Sequence, residues 1–193
     1  MGKLKGEGNA IIKTTCFLLV LCFIVTLAVA GTNALTAERI AEQERLARSA
    51  AMERLLPAAY YVPVLENETG QGIVYQATTG AQQGESLGYI IITAGRGYGG
   101  PVRVMTAITQ GTVVAIEIID ASGETPGLGQ NVLRPSFIEQ FSGVASPPVL
   151  TRGVPANADE IQSLTGATLS ADAVVSAVGQ AMELYESIQG GGR

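Results

Sequence analysis

Hydrophobic and polar positions divide the chain into three stretches of different period. Residues 14–37 form a run of 24 residues without a charge, and the part from Cys16 to Ala30 is almost wholly apolar. A helix needs about 20 residues to cross roughly 30 Å of hydrocarbon, so residues 14–35 are predicted to span a membrane. Residues 36–56 are rich in Ala, Glu, Arg and Leu and hold no Gly or Pro before Pro57. They predict a connecting helix over 36–57, capped by Thr36 and stopped by Pro57. Its Glu and Arg residues recur at spacings of three and four, the mark of a solvated face.

Beyond Pro57 the pattern changes to β-branched runs. Residues 88–94 (GYIIITA), 102–109 (VRVMTAIT) and 112–119 (TVVAIEII) predict strands, with a weaker one over 72–77. Only Gln110 and Gly111 separate the second and third runs, which therefore predict a hairpin. Residues 135–141 suggest a short helix, and Ser146-Pro147-Pro148 a connection. Over 170–188 the apolar residues Val174, Val175, Val178, Met182 and Tyr185 recur at helical spacing, and a Gly-Gly-Gly-Arg tail should fray. The fold class is α+β: a single membrane helix, then a small domain over 58–193 with an antiparallel sheet and flanking helices.

Charge orients the picture. All three lysines (Lys3, Lys5, Lys13) lie in the first 13 residues, ahead of the apolar run. The positive-inside rule then places residues 1–13 in the cytoplasm, the helix in the lipid bilayer and the domain outside the cell membrane. Ala28-Val29-Ala30 also matches a small-residue cleavage pattern, so a secreted domain released after Ala30 is the rival reading. From Glu38 onward nine arginines face 16 acids, a net of −7, with no basic cluster of the kind a nucleic-acid partner requires. Cys16 and Cys22 lie six apart, about 9 Å along a helix and on nearly opposite faces, and cannot bridge. The chain has no histidine. That excludes Ser-His-Asp and Cys-His catalysis, histidine-ligated haem and most catalytic zinc sites. Any redox role requires an organic cofactor.

Two stretches differ from ordinary scaffold. Thr165-Gly166-Ala167-Thr168 stands directly before the last predicted helix. Small residues let backbone N–H groups approach a ligand, and a helix N-terminus offers unpaired donors suited to a phosphate. The same residues also read as a cap, with Thr168 or Ser170 at the N-cap and Gly166 as a turn. The second stretch is a pair of glycine-rich loops at strand ends, Gly97-Tyr98-Gly99-Gly100-Pro101 and Glu124-Thr125-Pro126-Gly127-Leu128-Gly129. Each alone is a turn signal.

Taken in order, these two loops and Leu164-Thr165-Gly166-Ala167-Thr168 resemble the FMN-binding domain of RnfG, the G subunit of the Rnf electron-transport complex. The C subunit of the sodium-translocating NADH:quinone reductase is similar but tends to be longer. The resemblance runs from the membrane helix to about Ser187. It implies FMN attached through its phosphate to Thr168, with Thr165, Gly166 and Ala167 completing the motif. It also brings the Glu124 loop to the flavin. Glu124 would then lower the flavin potential, Thr125 would donate a hydrogen bond to the ring, and Leu128 would shield one ring face. The implied role is an electron carrier rather than an independent enzyme. Its implied setting is a membrane complex that passes electrons between ferredoxin and NAD⁺ and translocates ions. The implied partners are the other membrane subunits and a flavin transferase, because no histidine is present to activate the threonine hydroxyl. Two positions depart from the family pattern. Gln162 stands where an acid commonly precedes the modified threonine, with Asp159 and Glu160 nearby, and Ala121-Ser122 stand where many members carry a histidine. A pseudopilin-like structural protein would share the helix and sheet, but the apolar run lacks an early glutamate, since Glu7 precedes it.

Overall fold

The computed structural model describes residues 3–66, 72–80 and 84–190, and the end of the glycine-rich tail lies outside them. The chain divides into two units, residues 1–47 and 48–193.

The first unit belongs to helix α1 (Lys3–Leu55), which is long and apolar enough to cross a membrane. Phe17, Leu19, Phe23 and Val29 on it are 65–70% exposed, as expected of a surface suited to lipid rather than water. Two threonine hydroxyls in its apolar stretch and just beyond bond within the helix: Thr26 Oγ1 donates to the Cys22 carbonyl at 2.8 Å and Thr32 Oγ1 to that of Ala28 at 2.9 Å. Thr36 is not the expected N-cap. It sits in the helix interior and donates to the Thr32 carbonyl at 2.9 Å, because no residue before it breaks the helix. The helix ends at Leu55, just before Pro57.

The second unit is built on a five-stranded antiparallel sheet in sequential order. Its strands are β1 (Tyr60–Glu66), β2 (Ile73–Thr78), β3 (Ser86–Arg96), β4 (Pro101–Thr109) and β5 (Thr112–Asp120). The predicted hairpin is present, with Gln110 (φ 52°) and Gly111 (φ 81°) both left-handed, as a type I′ turn requires. Sequence pattern alone did not identify β1, because Pro63 interrupts its run. The strand lies at the sheet edge, where proline is tolerated, and its register shifts between Pro63 and Leu65. Two three-residue strands, β6 (Val149–Thr151) and β7 (Glu160–Gln162), pair in parallel and were likewise too short to register as a pattern. Between β5 and β6 lie a 3-10 turn (Gly129–Leu133) and helix α2 (Pro135–Ile138). Together with a second 3-10 turn (Glu139–Phe141) they bury Val132, Phe137 and Phe141, the two aromatic rings meeting edge to face at 5.5 Å.

Alternation along the strands gives the sheet two apolar faces. On one face Ile90, Ile92, Met105 and Ala107 pack with Ala51 and Met52 from the last turns of α1. Arg54 is ion-paired with Glu117 of β5 beside this cluster. The other face carries Ile91, Val102, Val104, Val113 and Ile116 against helix α3 (Thr168–Gly190), which contributes Ala173, Val174, Ala177, Val178 and Ala181. Helix α3 is fixed along β3 at successive levels. Tyr185 meets the Tyr89 ring at 5.5 Å, and the Ala177 carbonyl accepts the Thr93 hydroxyl at 2.7 Å. At Gly95 a side chain would collide with the Ala173 carbonyl, so the glycine lets the helix lie directly on the strand.

Thr93 and Thr106 provide a matched pair of buried hydroxyls. Thr93 is bonded, whereas the fully buried Thr106 Oγ1 has no hydrogen-bond partner. Replacement of Thr106 by valine removes an unsatisfied donor without changing the shape, and should raise stability by about 1 kcal/mol. Thr93→Val should lower it by about 1 kcal/mol for the opposite reason. Urea titrations of the two variants should show midpoints moving in opposite directions.

Candidate functional site at the start of helix α3

Helix α3 begins at Thr168, two residues before the sequence pattern indicated. The N–H groups of Thr168, Leu169 and Ser170 have no acceptor among the described residues, and the first bonded amide is that of Ala171, to the Ala167 carbonyl at 3.0 Å. Three donors and the positive end of a 23-residue helix therefore converge on one spot.

That spot is one wall of a groove of about 570 Å³, open to solvent, that three segments form. Tyr98 comes from the loop between β3 and β4, Glu124, Thr125, Leu128 and Gly129 from the loop after β5, and Gly166 to Ser170 from the helix start. The sequence-predicted residues Thr168, Gly166, Ala167, Glu124, Thr125 and Leu128 thus line a single groove. Thr165 is exposed and stands outside its lining. Thr168 is exposed, while Ala167 is buried and turns the chain inward through its N–H to the Leu164 carbonyl, 3.1 Å.

Gly166 adopts φ +78°, a left-handed conformation that other residues rarely take, and Leu128 packs against it. A Cβ there would stand 2.9 Å from Leu128 Cδ1. Leu128, Leu169 and Tyr98 are 45%, 58% and 72% exposed, so the rim of the groove is apolar. Such a rim beside convergent polar donors is the usual make-up of a small-molecule site.

Glu124 differs from the loop charge read from the sequence. It is only 2% exposed. One carboxylate oxygen accepts the Tyr98 N–H at 2.8 Å and the Gly99 N–H at 3.4 Å, and the other accepts the hydroxyl of Ser170. Sequence reasoning counted neither Tyr98 nor Ser170 among the site residues. Their signals were an aromatic residue within a glycine loop and a hydroxyl two residues after Thr168.

The acids near Gln162 are engaged in their own loop. The Ser146 hydroxyl and the Ala145 and Ser146 amides hold the Asp159 carboxyl below the usual carboxylate range. Glu160 accepts the Ala156 N–H and the Asn157 side-chain amide. Gln162 itself is exposed, and its backbone N–H donates to Gln140 Oε1 at 2.7 Å. At the other departure, Ala121 is buried and Ser122 bonds the Asp120 carboxylate through both its N–H and its hydroxyl.

Comparison with known proteins bears directly on this groove. The family model of the FMN-binding domain matches residues 97–183, and that of the RnfG N-terminal region matches residues 1–55. The chain is 31% identical over 147 residues to the G subunit of the ion-translocating oxidoreductase complex of Methanosarcina acetivorans, covering 73% of this chain and 76% of that protein. The chain belongs to the RnfG family. It is also 34% identical over 113 residues to the G subunit of the proton-translocating ferredoxin:NAD(+) oxidoreductase complex of Clostridium ljungdahlii, and 35% identical over 114 residues to the Na(+)-translocating counterpart of Acetobacterium woodii. Those alignments cover 58% and 56% of this chain, and span 60% and 54% of the relatives' lengths.

In this RnfG chain the N-terminal match coincides with α1, and the FMN-binding match opens at the Gly97 loop and closes within α3. Every segment that forms the groove therefore lies inside the FMN-binding domain. Because Gly166 is both left-handed and pressed by Leu128, Gly166→Ala should cost about 1–2 kcal/mol of stability. It should also reduce bound flavin more than Thr165→Val does, as read by flavin absorbance per protein.

Proposed function

We propose that this chain is the flavin-bearing, membrane-anchored electron carrier of an ion-translocating ferredoxin:NAD⁺ oxidoreductase complex, with FMN esterified through its phosphate to Thr168. The observation that carries this reading is the coincidence of the FMN-binding match with a groove in which Thr168 stands beside three unpaired helix amides.

The groove suits the cofactor. Unpaired N–H groups and a helix N-terminus favour a phosphate, which as the diester joining FMN to Thr168 carries one negative charge. The apolar rim of Tyr98, Leu128 and Leu169 suits a planar aromatic ring. Bound there, FMN would supply the redox chemistry of the site. The amides of residues 168–170 would hold the phosphate, Thr168 would tether it, and the rim would limit water at the ring. Thr125, exposed on the same loop, is the candidate donor to a ring heteroatom. No acid or base is assigned, since the chain's part is to hold and orient. A threonine hydroxyl is not a spontaneous nucleophile at neutral pH, so attachment calls for a flavin transferase. That enzyme would take up the hydroxyl proton and move the FMN moiety from a flavin dinucleotide to Thr168, the donor's other nucleoside monophosphate leaving as the ester forms. Covalent attachment suits a carrier outside the cytoplasm, where lost FMN would not be replaced.

The remaining membrane subunits of the complex are the proposed partners. Lysines ahead of the apolar run favour a cytoplasmic N-terminus, an uncleaved helix in the bilayer and an extracytoplasmic domain.

Two experiments test the reading. Intact mass and in-gel fluorescence after denaturation should show covalent FMN in the native chain and in Thr165→Val, and none in Thr168→Ala. Fluorescence that survives in Thr168→Ala would overturn the acceptor assignment. For topology, protease added to spheroplasts should digest the domain while an N-terminal peptide stays in the membrane fraction. A mature chain that starts at Gly31 would show instead that the helix is a cleaved signal.

A further inference from the structure

Glu124 neither holds the phosphate nor tethers the flavin, yet it occupies the centre of the groove's framework. Its carboxylate joins three segments: the Tyr98 and Gly99 amides from one loop, its own loop after β5, and the Ser170 hydroxyl in the first turn of α3. The space is shaped for it. A side chain at Gly97 would collide with Oε1, and a Cβ at Gly129 would come within 2.6 Å of Oε2. A carboxylate this deeply buried is costly unless each oxygen finds donors, and here both do. Among the described residues, no hydrogen bond joins Glu124 to Thr168.

We infer that Glu124 is a positioning residue for the flavin site: through Ser170 and the Tyr98 and Gly99 amides it locks the two walls of the groove together before the cofactor arrives. The inference rests on reading Thr168 as the FMN acceptor. It assigns Glu124 a structural coupling between segments 46 residues apart in place of an electrostatic role at the flavin ring. What matters is then acceptance of hydrogen bonds, not charge. Glu124→Gln keeps an oxygen for the two amides, and the Ser170 hydroxyl can turn to accept from the new amide group. Glu124→Ala and Ser170→Ala remove the tie.

The full chain, co-expressed with a flavin transferase, provides the test, with the covalent FMN fraction read by intact mass. Loading should stay within about twofold of native in Glu124→Gln and fall about tenfold in Glu124→Ala, as expected for loss of a buried hydrogen-bonded group. Thr93→Val serves as a control. It weakens the same helix nine residues beyond Thr168 and should load normally despite its lower stability. A second readout needs no flavin: in the unloaded Ser170→Ala chain, amide exchange should quicken at residues 97–99, across the groove from the substitution. Normal loading in both Glu124→Ala and Ser170→Ala would overturn the inference. So would loading in Glu124→Gln as poor as in Glu124→Ala, loss in Thr93→Val equal to that in Glu124→Ala, or faster exchange confined to α3. Absence of FMN from the native chain, or its survival in Thr168→Ala, would overturn the acceptor reading instead, and the exchange measurement would still decide the coupling.

Discussion

The seating of α3 along β3 is the constraint on which the rest of the domain depends. Strand and helix run in opposite directions, and the pairs Tyr89 with Tyr185, Thr93 with Ala177 and Gly95 with Ala173 fix them at successive levels. The last of these pairs lies almost at the end of the strand, which gives way to the Gly97 loop. From Ala173 the helix runs back five residues, about 7.5 Å, to its first residue, Thr168. The helix start therefore emerges where the sheet stops, and the glycine loops leave the sheet at the same end. Burial of Val174, Val178 and Ala181 against the sheet supplies the energy, and the three pairs supply the register.

Much of this was legible in the chain, and the limits have physical causes. The strands β2 to β5 and the hairpin at Gln110-Gly111 followed from β-branched alternation and one turn dipeptide, because both act locally. Strand β1 was hidden by Pro63, and the β6–β7 pair by its length of three residues a strand, too short for any period. Thr36 resembled a cap only because the sequence does not show whether the preceding helix has ended. Its hydroxyl bonds back to Thr32 instead.

The site was legible to a similar degree. Local spacing identified the Thr165-Gly166-Ala167-Thr168 turn and both glycine loops, and the fold brings part of each into one groove: Gly166 to Thr168, Tyr98 of the first loop, and Glu124, Thr125, Leu128 and Gly129 of the second. Local spacing could not reveal that Glu124 is buried, since a glutamate among glycines and a proline reads as a solvated turn. Ser170 acquires its meaning only from a partner 46 residues earlier. Burial and long-range pairing are properties of the assembled domain, and no window of neighbouring residues contains them.

The start of α3 also works as a ruler. Between Thr168 and Ala173 the chain is continuous helix, so one added residue would turn Thr168 by about 100° about the helix axis while Ala173 stayed on Gly95. The hydroxyl would leave the groove with its amino acid unchanged. At the Gln110-Gly111 turn, which leads only from one strand to its neighbour, an extra residue would disturb nothing of this phase. The number of residues in this first turn and a half is thus under as firm a restriction as their identity, and descendants of this chain have room to lengthen at the hairpin but not there.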